Sequence, residues 1–249
     1  MLVKTNTIIG VLALLFFFTV QTSFAEEIEV GLEPLPPLIV DESTGLSVQL
    51  LKEVEKISDL TFSIKIMPYN RAKAGLKSGK LSLMGHTPHG QEVEAFYAYA
   101  QELEWSVPTN LDIFATDKNR LKPEVYKTLE PIGTPRGNKE FIAEVFGIPV
   151  DNFYEGSIDN LLKMLQMGRI KAFAFERAST MSTIKDLNLD GIYYKHGFDI
   201  SAGFAVPADS SGTRLKEKLD SLIKKVDQEA IFKEYLDYMS LPKTGEVTF

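Results

Sequence analysis

No cysteine occurs in the 249-residue chain. A disulfide framework is therefore excluded, and the fold has to be held by an apolar core of some size. Histidine is almost as scarce, at three residues, His86, His89 and His196. The H-x-x-H pair at 86 and 89 has only His196 and carboxylates to complete a coordination set, so no metal and no other cofactor is expected. An excess of positive charge is also missing: 27 basic residues face 34 acidic ones, for a net charge of −7. Nucleic-acid binding asks for the opposite balance. Beyond the first 25 residues there is no apolar run long enough to span a membrane, which takes about 20 residues.

Those first residues stand apart. Lys4 gives a basic start, Ile8 to Val20 is almost wholly apolar, and Ser23-Phe24-Ala25 reads as a small-x-small cleavage site. The pattern is that of a secretory signal peptide over 1–25, with an apolar core too short for a comfortable membrane anchor. No cysteine follows it, so lipid attachment is not expected. The exported chain should begin near Glu26 and be a soluble periplasmic monomer.

The remaining sequence alternates strand-like and helix-like segments. EIEVGL (27–32) alternates as a strand does, and a Pro-rich turn follows at 34–37. Leu50, Leu51, Val54 and Ile57 recur at helical spacing. Phe62, Ile64 and Ile66 mark a half-buried strand. Asn70 can cap a short helix that ends before Gly79, and strands are expected at 81–84 and 111–116. In the second half, strand 130–134 precedes a helix at 139–146. Ser157 can cap a helix carrying Ile158, Leu161, Leu162 and Leu165. Strand 170–175 and helix 177–186 come next, then strands at 192–194 and 202–206, two terminal helices and a loose tail of about ten residues. Phe96, Tyr97, Tyr99 and Trp105 read as core and lobe-edge packing.

One stretch repeats. Leu76-Lys77-Ser78-Gly79-Lys80-Leu81 matches Leu165-Gln166-Met167-Gly168-Arg169-Ile170, and Val30-Gly31 matches Ile132-Gly133. Each half thus carries a strand, a loop, a helix, a capping glycine and a second strand. Such turns are common, but their placement suggests two α/β lobes of similar build. Ligands of open α/β sheets bind beyond the carboxyl ends of the strands, which puts a site in the cleft between the lobes.

The order of EVGLEPLPPLIVDESTGLSVQLLKEV, YNRAKAGLKSGKLSL, IGTPRGNKEF, LLKMLQMGRIKAFAFE and SAGFAVP resembles the bacterial extracellular solute-binding proteins of family 3, the polar-amino-acid binders of ABC transporters. The resemblance spans nearly the whole exported chain. It implies a two-lobed type II periplasmic-binding-protein fold, each lobe a mixed sheet flanked by helices, joined by two hinge strands. Lobe 1 would comprise 26–112 plus 205–249, and lobe 2 would comprise 113–204. It implies a small-molecule solute as ligand and a membrane permease or receptor as partner.

Site residues follow from the resemblance position by position. Gly133-Thr134-Pro135-Arg136-Gly137-Asn138 matches a turn that receives the ligand's anionic end. Backbone N–H groups, the Arg136 guanidinium and the helix N-terminus could form a cradle, and an ordinary tight turn is the alternative. Glu176, ending KAFAFE, matches an acid that receives an ammonium; otherwise it starts a helix. Glu33 matches a second acidic position, and Tyr69 an aromatic wall whose counterpart is Leu38 here. Around Gly85 and Thr87 the pattern departs. The carboxylate-clamping arginine of the family falls on Gly90 or Glu92, depending on alignment, and Arg71 is the residue that could replace it. A non-catalytic binding protein is the leading expectation. A receptor-docking sensor, or a dehydratase-like enzyme using Glu176 or Glu33 with His86, are the alternatives.

Overall fold

The computed structural model describes residues 26–248, so the signal-peptide reading lies outside the described residues. β1 (Glu26–Leu32) leads through the Pro-rich turn to α1 (Leu46–Lys56), β2 (Leu60–Ile66), α2 (Tyr69–Lys77) and β3 (Leu83–Pro88). The one-turn α3 (Glu94–Tyr97) precedes β4 (Ala100–Ala115). The second half holds α4 (Pro123–Tyr126), β5 (Ile132–Pro135), α5 (Lys139–Phe146), β6 (Phe153–Gly156), α6 (Ile158–Gln166), β7 (Ala172–Glu176) and α7 (Arg177–Asp186). β8 (Tyr193–Pro207) then runs back, followed by α8 (Ser210–Ile223), α9 (Gln228–Met239) and β9 (Thr244–Glu246). Among the described residues, no helix is long and apolar enough to cross a membrane.

Local sequence explains most of these elements. Leu50, Leu51 and Val54 form the buried stripe of α1, and Ile158, Leu161, Leu162 and Leu165 that of α6. AFAFE is buried at every position, as a central strand covered on both faces must be. The Asn70 cap is not found: α2 begins at Tyr69 behind Pro68, a residue suited to precede a first turn. Ser157 does occupy the N-cap position of α6, without a side-chain bond to the helix backbone.

The strands form one sheet in the order β2-β1-β3-β8-β4-β7-β5-β6, with β9 added to β8. In each half a first strand pairs in parallel with two others (β1 with β2 and β3, β5 with β6 and β7), and the third meets a long antiparallel strand. The two long strands, β4 and β8, pair with each other from Ala100 opposite Pro207 to Ala115 opposite Tyr193. Their register shifts between Glu102 and Ser106 and again between Leu111 and Asp112, the kind of irregularity that bends a strand from one lobe toward another.

The repeat seen in the sequence is a repeat of hydrogen bonds. Ser78 N donates to Ala74 O, Gly79 N to Leu76 O, Lys80 N and Leu81 N to Gly75 O, and Ser82 N to Glu29 O. In the second half Met167 N donates to Lys163 O, Gly168 N to Leu165 O, Arg169 N and Ile170 N to Met164 O, and Lys171 N to Pro131 O. Gly79 and Gly168 share φ 71°, which favours glycine at the helix end. Even the packing repeats: a Cβ on Gly31 would lie 2.5 Å from Leu81 Cδ1, and one on Gly133 would lie 2.6 Å from Ile170 Cδ1.

Three expectations need correction. The strand expected at 111–116 is the end of a strand of 16 residues, and the strands expected at 192–194 and 202–206 are one strand of 15. The tail is not loose, because Thr244–Glu246 pairs with Tyr193–Lys195. We therefore propose lobe boundaries within β4 and β8 near 112 and 205, with residues 244–246 joined to the second lobe.

A buried ion pair sits at this junction. Arg177 (2% exposed) donates from Nε to Asp112 Oδ2 at 2.6 Å and from Nη2 to Asp112 Oδ1 at 3.1 Å, while Asp112 is fully buried. Arg177 Nη1 also reaches the carbonyls of Tyr238 and Leu241, each at 3.3 Å. Burial pushes the Asp112 carboxyl above its usual range, and Arg177 opposes that push. Asp112→Ala, which strands a buried guanidinium, should cost about 3–5 kcal/mol in urea unfolding. A loss under about 1 kcal/mol would show that the pair is dispensable to the fold.

Candidate functional site

The carboxyl ends of β1 and β3 in one lobe face those of β5 and β7 in the other. Glu33 follows β1, and its N–H is held by Gly85 O at 3.1 Å. Gly85, His86 and Thr87 lie in β3. A Cβ on Gly85 would come within 2.5 Å of the Phe204 ring, so glycine here is a packing requirement and not a ligand contact. From the second lobe, Asn138 stands at the start of α5 and Glu176 at the end of β7.

The lobes touch. Asn138 Nδ2 donates to Glu33 Oε2 at 3.1 Å, and both side chains are buried. Gly137 has φ 89°, and a Cβ on it would lie 2.8 Å from Asn70 N of α2. A side chain there would both strain the turn and hold the lobes apart. Between the lobes a cavity of about 40 Å³ remains, lined by Glu33, His86, Thr87, Thr109, Asn138 and Glu176. That volume is close to the ~30 Å³ share of one water molecule. Glu33 also borders a wider groove of about 570 Å³ that opens between Pro34, Pro36 and Pro68 on one side and Pro135 and Ile158 on the other.

Of the residues expected from sequence, Glu33, Thr87, Asn138 and Glu176 are brought together around this cavity, with Gly85 supporting it from behind. Thr87 Oγ1 donates to Glu102 Oε1 at 2.7 Å, which ties it to β4. Glu176 is committed within the chain. It caps α7 by accepting from Ala178 N at 3.0 Å and Ser179 N at 2.6 Å, and it also bonds the hydroxyls of Ser179 and Thr109. Tyr235 Oη lies at 3.4 Å. A carboxylate has about four acceptor positions, and these bonds within the chain take them up.

Four expected residues lie elsewhere. Tyr69 is buried in lobe 1, donates to Glu92 Oε1 at 2.5 Å, and carries Lys73 over its ring at 4.6 Å. It forms no wall of the cavity, and Leu38 is likewise fully buried in the core. Arg71 and Arg136 are exposed and border a surface depression beside Glu155. One donor of the expected anion cradle is engaged from within the chain: Gly137 N donates to Glu155 Oε1 at 2.6 Å.

His86 and Thr109 emerge as site residues that sequence reasoning did not assign to ligand binding. His86 is 3% exposed, stacks on Phe204 at 4.9 Å and meets Ser47 Oγ through Nε2 at 2.9 Å. Its Nδ1 has no protein partner, and burial lowers its pKa to about 3, so the ring is neutral. His89 turns the other way, bonding Leu103 O at 2.9 Å. In the sequence, the only signals for His86 were H-x-x-H and its place as a partner for Glu176 or Glu33 in the enzyme alternative. Thr109 carried none, because its position depends on how β4 crosses between lobes.

No family model matches the chain, and no curated protein matches it. Solved structures do. A histidine kinase sensor domain described as similar to periplasmic binding proteins is 16% identical, covering 88% of this chain and 95% of its own, at a TM-score of 0.68. The chain has the two-lobed periplasmic-binding-protein fold. An ancestral arginine-binding protein bound to arginine shares this fold at 17% identity, 86% and 98% coverage and a TM-score of 0.64. An ABC uptake transporter substrate-binding protein from Streptococcus pneumoniae with bound histidine shares it at 12% identity, 87% and 94% coverage and a TM-score of 0.67.

In this closed cleft, burial raises the Glu33 pKa to about 8, against the pull of Asn138 and of Lys73 on α2, while Glu92 adds to the rise. The folded protein thus keeps a proton that an unfolded glutamate loses above its ordinary 4.5, and this contribution to stability falls as pH rises from 4.5 to about 8. His86 acts in the opposite sense: its burial penalises folding below 6.5, and that penalty has gone by 6.5. Between pH 6.5 and 8, then, Glu33 acts without His86. Denaturant-measured stability of the unliganded protein should decline across that window, and Glu33→Gln should flatten the decline. An identical slope in the variant would refute the assignment.

Proposed function

We propose that this chain is an exported, non-catalytic binding protein that closes its lobes on one small polar solute and presents it to a membrane permease. The observation that carries this reading is the convergence of four strand ends, two from each lobe, on a single buried cavity crossed by the Glu33–Asn138 hydrogen bond. The hinge needed for closure is supplied by β4 and β8, which run through both lobes with register shifts along the way. A monomer located in the periplasm and not lipid-anchored is part of the same proposal.

Chemistry on a substrate is disfavoured by the state of the groups present. Glu176 has its acceptor positions filled, and Glu33 and His86 are both buried and both neutral near pH 7. A general acid–base pair needs two groups poised near the operating pH; Glu33, at about 8, is one, and His86, at about 3, does not supply the other. A second reading, delivery of the bound state to a membrane receptor, is supported by the likeness to a kinase sensor domain. Both readings need the same cleft and the same closure.

A thermal-shift screen of the purified protein against amino acids, peptides, organic acids, polyamines and sugars tests the reading. A solute at 100 times its dissociation constant should add about 2.7 kcal/mol of stability. It should be recovered chemically unchanged after incubation. Asn138→Ala, which removes the bond between the lobes, should enlarge the radius of gyration of the unliganded protein in solution scattering, and a bound solute should restore compactness. No stabilisation by any solute class would end the proposal.

A further inference from the structure

The cleft is acidic where it is buried. Two carboxyl groups, Glu33 and Glu176, border the 40 Å³ cavity, and no lysine or arginine borders it. Its one imidazole, His86, is neutral and leaves Nδ1 without a protein partner. The groove outside adds Asp159 and Asp186, against the exposed Arg136. The cation nearest Glu33 on the lobe 1 side, Lys73, is turned to Glu92 at 3.5 Å and lies over Tyr69. The groove's remaining walls are mostly apolar, with Pro34, Pro36 and Pro68 facing Pro135, Ile158 and Leu187, and Ser157 and Thr183 among them.

Each feature restricts the occupant. A buried anion would find no cation among the lining residues to compensate it, whether or not Glu33 holds its proton, an arrangement that is strongly unfavourable. A compact cation reverses the sign. It could take Glu33 as counter-ion, the proton that Glu33 holds in the empty cleft leaving to solvent as the cation enters, and His86 Nδ1 could accept one of its protons in the tautomer where Nε2–H donates to Ser47 Oγ. The inner cavity has room for a head group the size of one water. The prolines and Ile158 offer apolar surface beside Glu33 for what is attached to that head group.

We infer that the solute is a primary amine with an apolar body and no carboxylate, its ammonium between Glu33 and His86 and its body in the Pro34–Pro135 groove. This inference rests on the binding-protein reading and narrows it. Asn138 releases Glu33 when the lobes part, and the ammonium takes its place when they close. Selectivity against the matching amino acid comes from the missing buried cation, since an exposed Arg136 at the rim is worth little to a carboxylate in water.

Isothermal titration with matched pairs tests it: phenylethylamine against phenylalanine, and pentylamine against norleucine. Each amine should bind at least about tenfold more tightly than its amino acid, the size expected when a charge must be buried unpaired. Glu33→Gln keeps an acceptor for Asn138 and removes the ionisable group, so it should weaken amine binding by about tenfold or more without lowering the unfolding temperature of the unliganded protein. Amino acids binding as tightly as their amines, or amine binding indifferent to Glu33→Gln, would overturn the inference while leaving the binding-protein reading intact. Tight binding of an organic acid or sugar in place of any amine would do the same. Failure of every solute class would remove both.

Discussion

Two consecutive residues, Glu176 and Arg177, hold the machine together where β7 becomes α7. Glu176 bonds Thr109 on β4 and lies against Tyr235 on α9; Arg177 pairs with Asp112 on β4 and bonds the carbonyl of Tyr238 at the end of α9. The partners are three residues apart on both elements, so a strand and a helix are each gripped at two points. A guanidinium set against carbonyls at a helix C-terminus also meets the negative end of that helix. The joint ties β7 and α7 of lobe 2 to the strand that arrives from lobe 1 and to α9 of lobe 1.

From that constraint follows the division of labour among the acids. Three carboxylates that could have faced a ligand are occupied: Glu176 by its own helix and Thr109, Asp112 by Arg177, and Glu155 by the Gly137 turn. Glu33 differs. Its partner, Asn138, belongs to the other lobe and is neutral, so the bond joins the lobes without an ion pair. Burial without a cation is why its carboxyl is pushed to about 8. The lobes thus meet across the cleft through a hydrogen bond to a buried carboxyl with no cation bordering the cavity beside it.

Much of the architecture was legible in the sequence because it is local. The stripe of α6, the buried run AFAFE and the repeated glycine turns carry their structure in neighbouring residues, and the repeat predicted two lobes that the hydrogen bonds reproduce. The strand AQELEWSVPTNLDIFA was only partly legible. It mixes charged residues with apolar ones and contains Pro108, because its two ends serve different lobes and its pairing partners change along its length. The site was legible by position more than by role. Glu33, Thr87, Asn138 and Glu176 were placed at strand ends facing the cleft, but the occupation of Glu176 and of the Gly137 N–H depends on Thr109, Ser179 and Glu155, which lie 67, 3 and 18 residues away.

The sequence by itself determined the secondary elements, their twofold arrangement and the acidic, cysteine-free character of the chain, since propensity, periodicity and charge are properties of short segments. The tertiary structure alone decided which acids remain available to a guest, that the Gly137 N–H is engaged from within the chain, and that Tyr69 belongs to a core. Those outcomes turn on hydrogen bonds between distant segments, and a bond of that kind exists only once the fold has brought donor and acceptor within about 3 Å of each other.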